Sequence, residues 1–191
     1  MALTADLIVH AACTILDDYG LADLTMRRVA DSLGVKAGAL YWHFANKQSL
    51  LAAVADEVLT GSHALGSEGG EDELAEWANG IRAELLAHRD AAELVASTRA
   101  MGLGSVDPAE YPRAVLRARG LRDDEADGVA EAFMHFVLGH AMQEQTQSQL
   151  AELGVIDSFD GVRAQRHFDR GVQLLIDGVR HFVFSPPRRV E

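Results

Sequence analysis

Cysteine is almost absent from this sequence, and so are long apolar runs. The chain of 191 residues has one cysteine, Cys13, which excludes an internal disulfide and is usual in a reducing compartment. Because Ala11, Ala12 and Ile15 surround it, we expect Cys13 to be a small buried residue. No segment approaches the roughly 18 apolar residues of a membrane span, and the first residues lack the pattern of a secretory signal. We therefore expect a cytoplasmic protein.

Basic residues are also scarce. Seventeen lysines and arginines stand against 29 aspartates and glutamates, a net charge of -12, which argues against a general nucleic-acid binder. The first 47 residues nevertheless hold four basic and five acidic residues, whereas the remainder holds 13 and 24. Only Asp31 interrupts the four basic residues of the first part, which are Arg27, Arg28, Lys36 and Lys47. This small basic face on an acidic protein indicates two parts with different roles.

The apolar residues recur at helical spacing nearly everywhere, and no segment has the alternation of a strand. The sequence therefore predicts an all-α fold. Thr4, Thr25 and Asn46 can cap the first, second and fourth helices, and Gly20 and Gly34 can end the first two. The third helix is predicted at about 37–44 and the later ones at 72–88, 91–101, 107–119, 123–150 and 163–184.

A segment rich in Gly and Ser, 61–72, is typical of a connection between two parts. We predict a helix-turn-helix DNA-binding domain over 1–47, with the fourth helix, 47–60, as the connecting element. A C-terminal regulatory and dimerisation domain is predicted over 61–185. Residues 186–191 are predicted to be a tail, because paired prolines cannot continue the last helix.

Residues 26–45, MRRVADSLGVKAGALYWHFA, have the spacing of a helix-turn-helix. Ala30 is small where two helices must touch, and Gly34 permits the left-handed backbone of a tight turn. Val35 and Leu40 are apolar where the second helix of the motif packs against the first. In such a motif the second helix enters the major groove of DNA. A structural αα-hairpin with an ordinary surface is the alternative.

Four aromatic rings follow the small residues 37–39. The small residues allow the second helix of the motif to approach base edges closely, and its free N–H groups suit phosphate. Four rings on so short a helix cannot all face inward. We expect Trp42 and Phe44 to pack against the first and fourth helices. Tyr41 and His43 are then expected near the DNA backbone.

The basic residues complete the predicted DNA interface. Arg27 is the best candidate for bidentate readout of a guanine, because its guanidinium presents two parallel donors. Arg28 and Lys47 are candidates for binding phosphate. The full set of predicted DNA-binding residues is Arg27, Arg28, Lys36, Ala37, Gly38, Ala39, Tyr41, Trp42, His43 and Lys47.

The segment LTMRRVADSLGVKAGALYWHFANKQSLL resembles the DNA-binding domain of the tetracycline-repressor family of bacterial regulators, and the likeness covers residues 4–60 without a gap. Four later segments are similar to the C-terminal domain of the tetracycline repressors: LLAHRD (85–90), STR (97–99), HFVLG (135–139) and GVQLLIDGV (171–179). The resemblance implies an all-α homodimer that a small molecule releases from DNA.

The resemblance also implies a ligand site, in which several positions differ. Val95 stands where the tetracycline repressors have a histidine that binds magnesium directly, and Gln143 where they have an acidic residue. Trp77 and Ile81 stand where they have an asparagine that grips tetracycline and a phenylalanine. Valine cannot bind Mg²⁺, and glutamine brings no charge to it. We therefore expect neither magnesium–tetracycline as the inducer nor a resident cofactor.

The implied pocket is mostly apolar, with polar points such as Arg99, so a flat or partly aromatic organic molecule with an anionic group suits it. The alternative is that these residues are plain helical core. His135 and His140 are five residues apart and face different sides of a helix, so zinc is not expected. The predicted ligand-binding residues are His63, Trp77, Ile81, Val95, Thr98, Arg99, Phe133, His135 and Gln143.

By the same resemblance, the last two helices form a four-helix interface with a second copy of the chain. Apolar residues support it: Phe133, Phe136, Val137 and His140 on one helix, and Val172, Leu175, Ile176, Val179 and Phe182 on the other. Two other functions stay open, a DNA-binding regulator without a small-molecule inducer and a small α-helical enzyme. The sequence has no nucleophile–base pattern, phosphate loop or metal-ligand spacing that favours the enzyme. Repression is what the resemblance implies by default.

Overall fold

The computed structural model covers residues 2–60 and 73–184, with side chains to residue 181. The predicted connection 61–72, which includes His63, and the tail 186–191 lie outside the described residues. No strand occurs in the part of the chain that the structure describes, so the prediction of an all-α fold is confirmed. The helices are α1 (Ala5–Tyr19), α2 (Met26–Ser32), α3 (Ala37–Leu40), α4 (Lys47–Val58), α5 (Glu73–Ala87), α6 (Ala91–Ala100), α7 (Glu110–Ala118), α8 (Asp123–Glu152) and α9 (Gly161–Phe184).

The predicted helix caps are present. The Thr4 hydroxyl accepts a hydrogen bond from the Leu7 N–H over 3.2 Å, and the Thr25 hydroxyl accepts one from the Arg28 N–H over 3.1 Å. At the start of α4, Asn46 and Ser49 each accept a hydrogen bond from the other's backbone N–H. Such caps satisfy N–H groups that have no partner within the helix, and they fix where α1, α2 and α4 begin.

The chain packs into two compact units, Met1–Gly61 with Ala83–Asp107, and Ser62–Arg82 with Pro108–Glu191. The first unit therefore contains α1–α4, the end of α5, and α6. Its core is apolar and draws on α1, α2, α3, α4 and α6, because each of these helices turns one face inward. The core includes Ile8, Leu16, Leu24, Val29, Leu40, Leu50, Val54, Leu94 and Val95.

The second unit is built on the long helix α8, with α7, α9 and the start of α5. Trp77 of α5 is 1% exposed, its indole N–H donates to the Pro108 carbonyl over 2.9 Å, and its ring meets Phe133 of α8 edge-on at 6.3 Å. Burying this indole costs little because its one polar group is paired. Leu74, Ile81, Leu116, Ala130, Val137, Phe168, Val172 and Ile176 complete this core.

A buried ion pair joins α5 to α8 within the second unit. The Arg82 guanidinium donates to both oxygens of Glu144, over 2.7 and 2.6 Å, and also to Gln165 of α9. The Nδ1 atom of His140 lies 2.7 Å from Glu144, and the ring of Phe168 faces the guanidinium at 5.1 Å. Because the carboxylate can only accept hydrogen bonds, His140 donates through Nδ1. A charge can be buried here because it is paired and hydrogen-bonded.

Several residues predicted at the dimer interface are instead buried within the chain. Val137, Val172, Ile176 and Val179 are at most 5% exposed, because α8 and α9 pack on each other. Phe136 stacks on Phe168, with 5.5 Å between the ring centroids. The prediction that the three valines and Ile176 meet a second copy is wrong, since these four side chains have almost no surface left to bury. That the two helices form the dimer interface stays a prediction. Phe182 lies outside the described side chains, and large exposed apolar residues of the same region are Leu153, Val155, Val162 and Leu174.

Candidate DNA interface

The turn between α2 and α3 has the geometry that the sequence predicts. Gly34 has a φ of +66°, and the N–H groups of Gly34 and Val35 donate to the carbonyls of Asp31 and Ala30 over 3.2 and 3.0 Å. Leu40 of α3 is fully buried, whereas Lys36 and Gly38 are exposed. The turn and the buried Leu40 therefore fix α3 with its small residues towards solvent.

The four aromatic residues divide differently from the prediction. α3 ends at Leu40, short of the predicted 44, and a tight turn follows in which the N–H groups of His43 and Phe44 both donate to the Leu40 carbonyl. Phe44 is 9% exposed and packs in the core as predicted. Trp42 is 90% exposed, so the prediction that it packs against α1 and α4 is wrong. Residues two apart in a helical turn point to nearly opposite sides, and Leu40 and Phe44 already take the inner side.

Tyr41, Trp42 and His43 thus form an exposed aromatic edge after α3. Tyr41 is 53% exposed, and His43 is exposed as well. An exposed indole with a free face and an N–H donor is unusual for a protein surface. Together with the small residues of α3, this edge is suited to contact with a sugar–phosphate backbone.

The basic side chains differ in how far the fold restrains them. The Arg27 side chain is 89% exposed, with Asp31 at 3.8 Å as a weak surface partner. Arg28 stacks on Tyr19, 3.8 Å from the ring centroid, and pairs with Asp23. The Arg27 side chain is therefore free to reach a ligand, whereas the Arg28 side chain is held beside Tyr19 and Asp23. Lys36 precedes α3 and Lys47 begins α4, so the predicted set lies on α2, α3, the turn after α3 and the start of α4.

Trp42 provides a direct test of this exposed edge. The chain has two tryptophans, and the second, Trp77, is buried. We expect acrylamide to quench Trp42 in the free protein and operator DNA to protect it, because a stacked or contacted indole loses access to the quencher. A Trp77→Phe variant isolates the Trp42 signal, and a Trp42→Phe variant should lose the protection. Equal quenching with and without saturating DNA would show that Trp42 stays in solvent.

The predicted ligand-binding residues divide between the two units. In the first unit Val95 and Thr98 are buried, and the Thr98 hydroxyl donates to the Leu94 carbonyl over 2.9 Å. Arg99 pairs with Asp107 over 2.8 Å and has a side chain that is 21% exposed. In the second unit Trp77, Ile81 and Phe133 are buried, whereas His135 and Gln143 are exposed on α8. Their role in binding a ligand stays a prediction.

The described residues offer no cluster of candidate metal ligands. Val95 is 0% exposed and apolar at the position where the resemblance implies a metal ligand. No group of three His, Cys, Asp or Glu side chains in residues 2–60 and 73–184 could hold a metal ion. Across the same ranges, no helix has the length and apolar character that crossing a membrane requires.

The sequence did not indicate the roles of four charged side chains in buried or hydrogen-bonded positions: Asp56, Glu84 and the pair of Arg82 with Glu144. The inward position of Glu144 could have been predicted from the sequence, because it continues the apolar stripe of Phe133, Val137 and Ala141 on α8 at helical spacing. The partners could not, because Arg82 and Glu144 are 62 residues apart. Pairing at such a distance depends on tertiary packing rather than on local pattern.

Glu84 is a half-buried carboxyl in the first unit. Its Oε2 atom is buried without a hydrogen-bond partner, and burial raises the pKa of this carboxyl from 4.5 to about 7. Since the folded state holds the proton more tightly than the unfolded state, this group's contribution to stability is full below about 4.5. It declines as the pH rises to about 7 and is constant above.

A Glu84→Gln variant should therefore melt at a higher temperature than the wild type at about pH 8, and at a similar temperature at about pH 5. Glutamine resembles the protonated acid in shape and has no charge to desolvate. Thermal melts at both pH values measure the difference, with Glu93→Gln as an exposed control in α6. A stability difference that does not change with pH would refute the raised pKa.

Comparisons with known proteins identify the family of this chain. The family model described as bacterial regulatory proteins, tetR family, matches residues 8–54. The model described as tetracyclin repressor-like, C-terminal domain, matches residues 64–154. The class A tetracycline repressor protein from transposon 1721 of Escherichia coli is 30% identical, over 93% of this chain and 90% of that protein.

Solved structures match over nearly the whole chain. The crystal structure of Mycobacterium smegmatis BioQ is 39% identical with a TM-score of 0.84, over 93% of this chain and 98% of that one. BioQ with its natural double-stranded DNA operator is 38% identical with a TM-score of 0.78, over 93% and 98%. A TetR variant from Acinetobacter baumannii AYE in complex with minocycline is 29% identical with a TM-score of 0.78, over 95% and 99%. The chain therefore belongs to the tetR family of bacterial regulatory proteins.

Proposed function

We propose that this protein is a dimeric, sequence-specific repressor that binds operator DNA through residues 1–47. The observation that supports this proposal is the exposed edge of Tyr41, Trp42 and His43, beside the small residues of α3 and the exposed Arg27 side chain. Phosphate contacts position such a protein on DNA, and base contacts give it specificity. Lys36 and Lys47 suit the first role, and Arg27 suits the second.

A palindromic operator and a second copy of the chain are part of the proposal. One short recognition helix reads few base pairs, and two copies read two half-sites about one helical turn apart. The BioQ structure with its natural double-stranded DNA operator supports DNA as the partner. We assign dimerisation and ligand response to residues 61–185, connection to residues 47–60, and the protein to the cytoplasm, where the operator lies. We assign it no catalytic activity.

The proposed inducer is a small organic molecule with an anionic group. The minocycline complex of the TetR variant supports a small-molecule ligand in this fold. Magnesium–tetracycline itself is disfavoured, because Val95 cannot bind a metal and Gln143 is neutral and exposed. The positively charged side chain of Arg99 is the group that we expect to bind the anionic group of the inducer. Tetracycline with Mg²⁺ should therefore not raise the melting temperature, whereas a rise of several degrees would establish it as a ligand.

A second candidate is a regulator without a small-molecule inducer. The observation that favours it is that Trp77, Ile81, Val95 and Phe133 are already fully buried. Arg99 moreover has an internal partner in Asp107. A repressor of this kind would respond to its own abundance or to a partner protein.

Selection of genomic DNA fragments by the purified protein tests the proposal. The matched control is the Tyr41→Ala/Lys47→Ala variant, because both side chains lie outside the core. Enrichment of one palindrome by the wild type, and its loss in the control, is the expected result. No enrichment at modest salt, where phosphate contacts are strongest, would contradict DNA binding by this surface.

A further inference from the structure

Glu84 places a carboxyl group on the inward side of α5. It follows Trp77 by seven residues and Ile81 by three, so the three side chains lie along one side of the helix. Trp77 and Ile81 are 1% and 0% exposed. An acidic side chain therefore stands in a row that otherwise holds apolar core residues.

This carboxyl group has no compensating partner among the described residues. Its Oε2 atom is buried without a hydrogen-bond partner. Burial is the only cause that raises the pKa of Glu84 to about 7, so no charged side chain lies close enough to shift it further. The next ionisable residue on this side of α5 is His88, and its Nδ1 atom lies 3.1 Å from both oxygens of Asp17.

The buried carboxylate of the second unit shows what such a group requires. Glu144 accepts hydrogen bonds from the Arg82 guanidinium over 2.7 and 2.6 Å and lies 2.7 Å from Nδ1 of His140. A buried carboxylate is costly without a partner, and a positively charged donor offsets that cost. Glu84 has room for such a donor on its oxygens. Because the residue is only half-buried, a small molecule can reach it from solvent.

We propose that Glu84 binds the positively charged amine of a small organic ligand with an apolar body. The amine donates hydrogen bonds to the carboxylate, and the apolar surroundings of Glu84 suit the body of the ligand. This inference rests on the proposed function, in which a small molecule releases the protein from DNA. It adds a basic group to the anionic group of the proposed inducer, and it extends the predicted ligand-binding row of α5 from Trp77 and Ile81 to Glu84.

Thermal melts with benzylamine test the site, because benzylamine is a protonated amine on an aromatic body at both pH values used. At about pH 8, where the Glu84 carboxyl is mostly ionised, we expect roughly 10 mM benzylamine to raise the melting temperature by a few degrees. At about pH 5 the carboxyl holds its proton and attracts no cation, so the affinity should be at least roughly tenfold weaker. Benzyl alcohol and potassium chloride at the same concentration control for the aromatic body and for the ionic strength.

Glu84→Gln is the variant that separates this site from binding elsewhere. Glutamine keeps the shape of the side chain and removes its charge. Glu93→Gln changes the net charge by the same amount at an exposed position of α6. We expect Glu84→Gln to lose the benzylamine shift and Glu93→Gln to keep it. Titrations with the selected operator should show that benzylamine weakens binding severalfold in the wild type and in Glu93→Gln.

No shift in the wild type at about pH 8, or an equal shift in Glu84→Gln, would overturn the site. A shift that Glu84→Gln removes, with an operator affinity that benzylamine leaves unchanged, would overturn its role in induction. A wild-type protein that binds no DNA would instead overturn the proposed function. The melts require no DNA, so the failures can be told apart.

Discussion

Replacing Glu144 with alanine is expected to lower the free energy of unfolding by about 3–5 kcal/mol, because it leaves a buried charge without its counter-ion. The side chains of Arg82 and Glu144 are 10% and 5% exposed, and two hydrogen bonds join them. Alanine removes both bonds and the partner of His140. Urea unfolding at a fixed protein concentration measures the loss, since dimerisation makes stability depend on concentration.

The double variant Arg82→Met/Glu144→Leu is the matched control for this prediction. Replacing both members of a buried pair with apolar residues of similar size is often neutral or stabilising. We therefore expect it to recover most of the stability lost in Glu144→Ala. A loss of less than about 1 kcal/mol in the single variant would mean that the pair behaves as an exposed one does.

Arg27→Ala and Lys47→Ala are expected to weaken operator binding in two distinguishable ways. Loss of a bidentate contact to guanine costs about 1–3 kcal/mol and relaxes the preference at one base pair. Loss of a phosphate contact weakens binding to all sequences and reduces the slope of log affinity against log salt by about 0.9. Titrations of the operator and its single-base variants over a range of salt separate the two effects.

The control for this pair is Arg166→Ala in α9, an exposed arginine of the second unit. It matches the change of net charge, so it accounts for the general electrostatic attraction to DNA. If Arg27→Ala lowered affinity equally for every base at every position, Arg27 would be a phosphate contact. If Lys47→Ala left the salt slope of the wild type unchanged, Lys47 would not reach the backbone.

Local features of the fold were predictable because local chemistry determines them. Thr4, Thr25 and Asn46 cap helices in the structure as they do in the prediction, since a capping side chain bonds within three residues of itself. Gly34 has the predicted left-handed backbone. The helix-turn-helix could be predicted for the same reason, because its whole pattern lies within residues 26–45.

Features that depend on distant partners were not predictable. Trp42 is a local exception: a tryptophan is usually expected in a core, but Leu40 and Phe44, two residues before and after it, occupy the inner side of its turn. Val172 and Ile176 were predicted at a dimer surface, but both are buried within a single chain, in which α9 packs on α8. The carboxylate of Asp56 binds residues 49 and 50 positions later, and no spacing in the sequence indicates that contact.

The proposal that a dimer reads two half-sites is tested most directly by measuring the affinity of the protein for its selected palindrome before and after the distance between the half-sites is changed. Inserting about five base pairs between the half-sites turns them to opposite sides of the duplex, since one helical turn is about 10.5 base pairs. A dimer that presents two copies of α3 should then lose at least roughly a hundredfold in affinity, towards its non-specific binding. Equal affinity for both spacings would contradict a dimer that reads two half-sites at once.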